Sequence, residues 1–238
     1  MSDAVNTHRR GFLGRVLGAS AAATLTLFGA RQSEAQQTAD PDAWIKGVKG
    51  THRTLFDFPQ HRGGVPLLHV LNYLSTYQAA YKAPAGSAGA VGTFYSVGVQ
   101  SSIPLAFNDA AWAKYKIGEY LGLKDAAGKP YERNVFYRPT ANDSHLLLTA
   151  MQLPKVDAFA GAMPALGIES LQKMGTTFLL CANALGGWCA ELEVRGKGKA
   201  ADVEKDLRAN LIPGVIVVPA MVIAIEKAQA AGIAYNRQ

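Results

Sequence analysis

Short apolar runs alternate with stretches of helical periodicity along the chain after residue 50. The runs predict strands at 54–58, 90–97, 176–181 and 215–218. The periodic stretches predict helices at 65–81, 102–121, 168–174, 182–194, 200–211 and 219–231. Within 65–81, leucines and tyrosines recur every three or four residues and so share one helical face. The whole pattern indicates a chain of repeating β-α units.

Each predicted strand is a nearly continuous apolar run, which indicates a parallel sheet covered by helices on both faces. With right-handed crossovers, these units predict an α/β fold, a doubly wound three-layer sandwich with a mostly parallel sheet of about 4–5 strands. Prolines interrupt the pattern over 123–166, which we interpret as an insertion with one short helix around 146–151. The polar stretch 36–50 predicts a flexible arm, and 51–238 is the predicted domain.

The N-terminal segment has a different pattern. His8-Arg9-Arg10-Gly11-Phe12-Leu13 precedes an uncharged apolar stretch at 16–30, and Ser33-Glu34-Ala35 resembles a cleavage site. This predicts a twin-arginine signal over 1–35, a mature chain starting near Gln36, a periplasmic location and membrane contact only during export. One alternative is an ordinary secretory signal. The other is a membrane anchor, although a spanning helix needs about 20 apolar residues.

Composition narrows the class of protein. With 49% hydrophobic and 18% charged residues the chain is typical of a globular domain. Its formal net charge is +6 without a run of Lys and Arg, so we expect no nucleic-acid partner. No metal-ligand spacing and no glycine-rich nucleotide fingerprint occurs, so we expect neither a metal nor a cofactor.

Two cysteines carry the candidate chemistry. Cys181 ends the strand at 176–181 and precedes a helix, where backbone N–H groups and the helix dipole favour a thiolate. The alternative is a small buried hydrophobic residue. Cys189 lies about 12 Å further along the helix, beyond the roughly 7 Å that a disulfide spans, so we expect no bridge between them. We interpret Cys189 as a core residue, the alternative being a resolving thiol reached by unwinding at Gly186-Gly187.

Further candidates follow the strands at one edge of the sheet, because ligands of doubly wound folds bind outside the carboxyl ends of the strands. His61 follows the first strand, and glycine amides beside it can bind an anion, although a solvated loop histidine is the alternative. The helix start after Cys181 supplies further N–H donors. Besides Cys181 as the catalytic thiol, the predicted substrate-binding residues are His61, Gly63, Gly64, Gln100, Ser101, Ala182 and Asn183.

The segment Gly175-Thr176-Thr177-Phe178-Leu179-Leu180-Cys181-Ala182-Asn183-Ala184-Leu185 resembles the DsrE/DsrF-like family, in which a glycine, an apolar strand, a cysteine and a helix follow one another. The tail, from Leu211-Ile212-Pro213-Gly214 to Gly232-Ile233-Ala234-Tyr235, is similar to the exported branch of that family. The likeness covers about 50–122 and 166–235. It implies a three-layer fold, a trimer or hexamer, and a persulfide on Cys181.

The resulting hypothesis is a periplasmic sulfur-handling protein with sulfurtransferase-like chemistry, in which Cys181 carries sulfane sulfur. Its partners would be a small sulfur-containing molecule or a sulfur donor or acceptor protein. The alternative is a non-catalytic module of the same fold that binds a small ligand or assembles with a partner. That alternative predicts an inert Cys181.

Overall fold

The computed structural model describes residues 40–238. Their strands are β1 (His52–Asp57), β2 (Ala88–Phe94), β3 (Thr176–Cys181), β4 (Ile216–Val218) and β5 (Ala234–Arg237). They form one sheet in the order β4-β3-β2-β1-β5, and every neighbouring pair is parallel. Helices pack on both faces of this sheet, so the predicted three-layer α/β sandwich is confirmed. The strand β5 was not among the runs that the sequence pattern predicts.

One helix of the described residues precedes β1, and the others lie between the strands. They are α1 (Trp44–Gly47), α2 (Val65–Ala79), α3 (Asp109–Tyr115), α4 (Ile117–Tyr120), α5 (Ser144–Ala150), α6 (Asp157–Leu166), α7 (Ile168–Lys173), α8 (Ala182–Val194), α9 (Ala200–Ala209) and α10 (Met221–Ala230). Within 40–238 no helix combines the length and apolar character that a bilayer crossing requires.

Alternate residues of each strand point to opposite faces of the sheet and build two cores. On one face, Phe94 and Phe178 stack at 5.1 Å and pack with Trp112 of α3 and Trp188 of α8. We call the opposite side the α10 face. Its core combines strand residues with residues of α1 and α10, among them Leu55, Val91, Leu179, Cys181, Trp44, Met221 and Ala224. The side chain of Cys181 therefore belongs to the core of the α10 face.

The described part of the predicted arm is packed rather than loose. Trp44 and Val48 are 5% and 4% exposed and belong to the core of the α10 face. Gly89 of β2 allows this contact, because a Cβ atom at that position would collide with the carbonyl oxygen of Lys49. The sequence predicts a flexible arm here because most of its residues are polar. The arm is nevertheless held to the domain by these two apolar side chains.

The single helix predicted over 102–121 is wrong, because local capping divides it. A 3₁₀ turn at Ile103–Ala106 comes first, and the side chain of Asn108 then accepts a hydrogen bond from Ala111 N at 3.2 Å and starts α3. Lys116, with φ of 52°, separates α3 from α4. The insertion contains the predicted short helix as α5, and also α6, which tolerates Pro164.

Gly186 lies within α8 without a packing requirement. A Cβ atom built on it meets nothing within 4 Å. The residue therefore weakens the helix without any contact in the described structure that needs a glycine.

Candidate functional site

Cys181 lies where strand β3 becomes helix α8, as its sequence position predicts. It is the last residue of β3 and the N-cap of α8, and its Sγ accepts a hydrogen bond from Ala184 N at 3.4 Å. A second backbone amide, Met221 N, donates to the same sulfur at 3.3 Å. Met221 is the first residue of α10. The sulfur atom therefore lies at the N-terminal ends of two helices.

The sheet brings these two helix ends together. Cys181 pairs with Val218 at the end of β4, and α10 begins three residues after Val218. The helices are 13 and 10 residues long, and each N-terminus has an effective charge of about +0.5. Two backbone N–H donors and the positive ends of two helix dipoles therefore lie beside Sγ, an arrangement suited to holding a negatively charged group.

The first residues of α8 contribute differently from the sequence expectation. Ala182 and Asn183 were predicted to supply N–H donors, but the amide that reaches Sγ is that of Ala184. The amide of Asn183 instead donates to the carbonyl oxygen of Pro219 at 3.3 Å. This bond connects the turn before α10 to the start of α8 and so holds both helix ends beside Cys181.

A polar network lies on the same face and at the same edge as Cys181. Asp57 is 4% exposed, and its Oδ2 accepts a hydrogen bond from the hydroxyl of Tyr235 at 2.7 Å. Its Oδ1 accepts one from Thr93 Oγ1 at 3.4 Å. Buried carboxylates require such donors, and here two hydroxyl groups supply them.

Both tyrosines of this network keep their protons. Burial first, and then the nearby Asp57 carboxylate, raises the pKa of Tyr95 far above its ordinary value. For Tyr235 the hydrogen bond to Asp57 is the larger cause of a raised pKa. The Tyr235 hydroxyl therefore acts as a donor to Asp57 over the whole physiological range of pH.

Strand register places Tyr95 between Cys181 and Asp57. Phe94, the last residue of β2, pairs with Leu180, so Tyr95 follows the end of β2 where Cys181 ends β3, and both contribute to the core of the α10 face. Sequence reasoning missed Asp57, Tyr95 and Tyr235. Their positions alternate in step with the apolar residues of the same face, and this two-residue period is the signal that could have found them.

His61 is buried rather than solvated. It is 4% exposed, and burial lowers its pKa, opposed in part by an interaction with the Val99 backbone. Its Nδ1 accepts from Gly63 N at 3.2 Å, and Gly64 N donates to the His61 carbonyl at 2.8 Å. Both glycine amides are thus engaged inside the turn. A Cβ atom on Gly63 would lie 2.6 Å from the carbonyl oxygen of Leu146, so glycine here permits contact with α5.

The structure divides the predicted site residues into two groups. His61, Gly63 and Gln100 line an open cleft of about 550 Å³, whose other wall comes mainly from residues 121–150. Ser101 is buried beside it and forms an antiparallel bridge with Gln60. Cys181, Ala182 and Asn183 do not line this cleft. The cleft and the Cys181 site are therefore separate places at one edge of the sheet.

Cys189 is a core residue, as predicted. It is fully buried beside Trp188, and burial raises the pKa of its thiol to about 12, with a further contribution from Glu204. Both cysteines are free thiols. Within the part of the chain that the structure describes, no group of three or more His, Cys, Asp or Glu residues could hold a metal ion.

Comparisons with models of protein families, with curated proteins and with solved structures find no match to this chain. The resemblance to the DsrE/DsrF-like family thus stays an expectation from short motifs.

Proposed function

We propose that this protein handles sulfur, with Cys181 carrying sulfane sulfur as a persulfide. The observation that carries the proposal is the pair of hydrogen bonds to Cys181 Sγ from Ala184 N and Met221 N, at the starts of two helices. A nucleophilic thiolate and a persulfide anion are both negatively charged, and both gain from these donors. Sulfurtransferase-like chemistry is the corresponding activity class.

The loading step is a transfer of one neutral sulfur atom. The Cys181 thiolate attacks the sulfane sulfur of thiosulfate, a new S–S bond forms, and the bond between the sulfane sulfur and the sulfite sulfur breaks. The electron pair of the broken bond leaves with sulfite. Cys–S⁻ and thiosulfate therefore give Cys–S–S⁻ and sulfite, with the total charge unchanged and without an added oxidant or reductant.

Intact mass spectrometry after incubation with thiosulfate or inorganic polysulfide tests this proposal. We expect the wild type to gain one sulfur atom and Cys181→Ser to gain none, while the melting temperature of that variant changes little because serine is a good N-cap. Cys189→Ser is the matched control. It should load normally but lose about 1–3 kcal/mol of stability, because it places a hydroxyl in an apolar core.

The outcomes of this comparison separate the alternatives. Equal loading of the wild type and Cys181→Ser would remove the carrier role of Cys181. Loss of loading in both serine variants would instead indicate a two-thiol mechanism, in which Cys189 is needed as a resolving thiol.

A periplasmic location, reached by the twin-arginine route, is part of the proposal and depends on residues 1–35, which lie outside the described residues. We expect export to stop when Arg9 and Arg10 are both replaced by lysine, because the twin-arginine pathway reads the pair itself. Fractionation of cells with an antibody to the mature domain measures the effect. Normal amounts of mature protein in the periplasm of the double variant would contradict this route.

One observation favours the second candidate function, a non-catalytic binding or assembly module. Cys181 is only 5% exposed, whereas Val222 and Ile223 at the start of α10 are 72% and 50% exposed. Exposed apolar residues beside a sheet edge favour contact with another protein surface, including a homo-oligomer such as a trimer or hexamer. Under this alternative Cys181 is inert, and the wild type does not load sulfur.

A further inference from the structure

Strand β5 closes one end of the sheet, and among the described residues it pairs with β1 alone. Just after it, Gln238 N donates to the Asp57 carbonyl of β1 at 2.8 Å. Residues two apart in a parallel strand direct their backbone groups to the same side. Asn236 therefore also faces β1, whereas the N–H and C=O groups of Tyr235 and Arg237 face away from it. β5 thus offers two donors and two acceptors on its outer side.

A groove of about 650 Å³ lies between β5 and α2, on the side of the sheet opposite to the α10 face. Three tyrosine rings follow one another along it, with centroid distances of 5.1 Å from Tyr73 to Tyr77 and 5.4 Å from Tyr77 to Tyr81. Tyr77 also stacks on His52, the first residue of β1. Tyr81 is 72% exposed. The groove therefore offers aromatic surface near the start of β1.

The opposite end of the groove carries positive charge. Arg62, which follows β1, and Arg237 at the end of β5 line the groove together with His69. Within residues 40–238 neither arginine forms an ion pair with a carboxylate. The described lining residues include neither Asp nor Glu. Because arginine pairs readily with carboxylates, this end of the groove is complementary to an acidic group.

We propose that the outer side of β5 is a docking site for an extended, acidic segment of another protein, which adds a sixth strand to the sheet. The backbone of the segment pairs with Tyr235 and Arg237. Its alternate side chains, apolar at one end and acidic at the other, enter the groove. The lining residues of α2 run from His69 to Tyr77, about 12 Å of helix, which a strand of about four residues matches. In the sheet, β1 and β2 separate this site from β3 and Cys181, so it is independent of the sulfur proposal.

Fluorescein-labelled pentapeptides test the docking site. The probes are Phe-Thr-Phe-Thr-Glu and its reversed sequence, one for each strand direction, and in both the Phe and Glu side chains share one face of an extended strand. We expect one of them to bind the full-length protein with a Kd on the order of 0.1–1 mM in fluorescence anisotropy. Replacement of Glu by Lys should weaken binding about tenfold, because it brings a cation to Arg62 and Arg237. Equal binding of the Glu and Lys peptides would overturn the proposal.

Methylation of the peptide backbone distinguishes strand addition from binding by side chains alone. Alternate amides of an added strand face β5, and the remaining amides face solvent. N-methylation of the first set should weaken binding on the order of tenfold, and methylation of the second set should have little effect. If both sets weaken binding equally, or neither does, no strand is added and the proposal is wrong.

Arg237→Pro and Arg237→Gln are a matched pair of protein variants. Both remove the charge, but only proline removes the outward N–H, which edge strands tolerate because this group is not bonded to β1. We expect the proline variant to bind the peptide about tenfold more weakly than the glutamine variant. Lys82→Gln removes a nearby charge that does not line the groove and should bind as the wild type does. Equal affinity of the two Arg237 variants would refute pairing at this amide.

A second copy of the chain is the competing occupant of this site. Analytical ultracentrifugation of the wild type and Arg237→Pro, at equal concentration, measures self-association through β5. An unchanged oligomeric state together with peptide binding supports the docking site. A dimer that dissociates in Arg237→Pro, with no peptide binding to the wild type, would assign the outer side of β5 to self-association and overturn the proposal.

Discussion

Asp143→Ala should lower the free energy of unfolding by about 3 kcal/mol, because it leaves several hydrogen-bond donors without their buried acceptor. Asp143 is 2% exposed and receives the Arg133 guanidinium on both carboxylate oxygens, at 2.8 and 2.6 Å. The Tyr131 hydroxyl and the Thr140 backbone amide also donate to it, each at 2.7 Å. The Thr140 hydroxyl donates as well, at 2.9 Å, so removal of the carboxylate would leave four donors in the insertion without this acceptor.

The same network predicts an acid dependence of stability. Burial alone raises the pKa of Asp143, but hydrogen bonds from Thr140, Arg133 and Tyr131 outweigh burial and lower it overall. A carboxyl whose pKa is lower in the folded state stabilises the fold above its unfolded value of about 4, and this contribution is lost as the pH falls through the folded value. Urea unfolding of the wild type and Asp143→Asn, at pH 7 and below pH 4, measures this contribution of the Asp143 carboxylate to stability.

A nearby ion pair is the control for this experiment. Arg138 and Glu169 form a close pair, but the arginine side chain is 67% exposed. Glu169→Gln should therefore cost less than about 1 kcal/mol. If Asp143→Ala and Glu169→Gln lower the free energy of unfolding equally, the buried carboxylate contributes no more to stability than the exposed one, and the prediction is wrong.

Gly118→Ala should cost about 3 kcal/mol, because the new methyl group would overlap the backbone of Tyr131. A Cβ atom there would collide with the Tyr131 carbonyl oxygen and lie 2.8 Å from its nitrogen. That backbone is itself fixed, since Tyr131 N donates to the Leu123 carbonyl and Leu123 N donates to the Gly118 carbonyl. The methyl group therefore cannot be accommodated by a side-chain rotation, and the start of the insertion has to move.

Gly186→Ala is the matched control, because it adds the same methyl group to a helix where nothing lies within 4 Å. It should raise stability by about 1 kcal/mol through helix propensity alone. Thermal melts of both variants beside the wild type measure the difference. If Gly118→Ala has the melting temperature of the wild type, the backbone of Tyr131 can move aside at little cost, and the prediction is wrong.

The fold could be predicted where each element buries a continuous apolar run. β3 was found at its actual bounds because Thr176–Cys181 is apolar and ends at a helix start. β5 was missed because Ala234–Arg237 is an exposed edge strand with no apolar pattern. α6 was missed because Pro164 and Gly161 indicate a loop in the sequence, whereas packing of Met163 and Leu166 keeps the helix in the structure.

The candidate site could be predicted only where its parts are close in sequence. Cys181 and the start of α8 are adjacent, so their relation is visible in the chain. Met221 N is 40 positions from Cys181, and the hydrogen bond between them depends on the pairing of β3 with β4. The network around Asp57 likewise requires the sheet order, because β1, β2 and β5 supply its members. Such non-local contacts have no signature in a single sequence beyond the alternation of faces.

The pairing of β5 with β1 has a consequence for the synthesis of the protein on the ribosome. Tyr235 and Asp57, which join these strands, are 178 positions apart. A ribosome that adds about 5–20 residues per second completes β1 roughly 10–35 s before it supplies β5. During that interval one side of β1 offers unpaired backbone groups to any other nascent strand. Until synthesis has passed Arg237, the free edge of β1 has to be shielded by something other than β5.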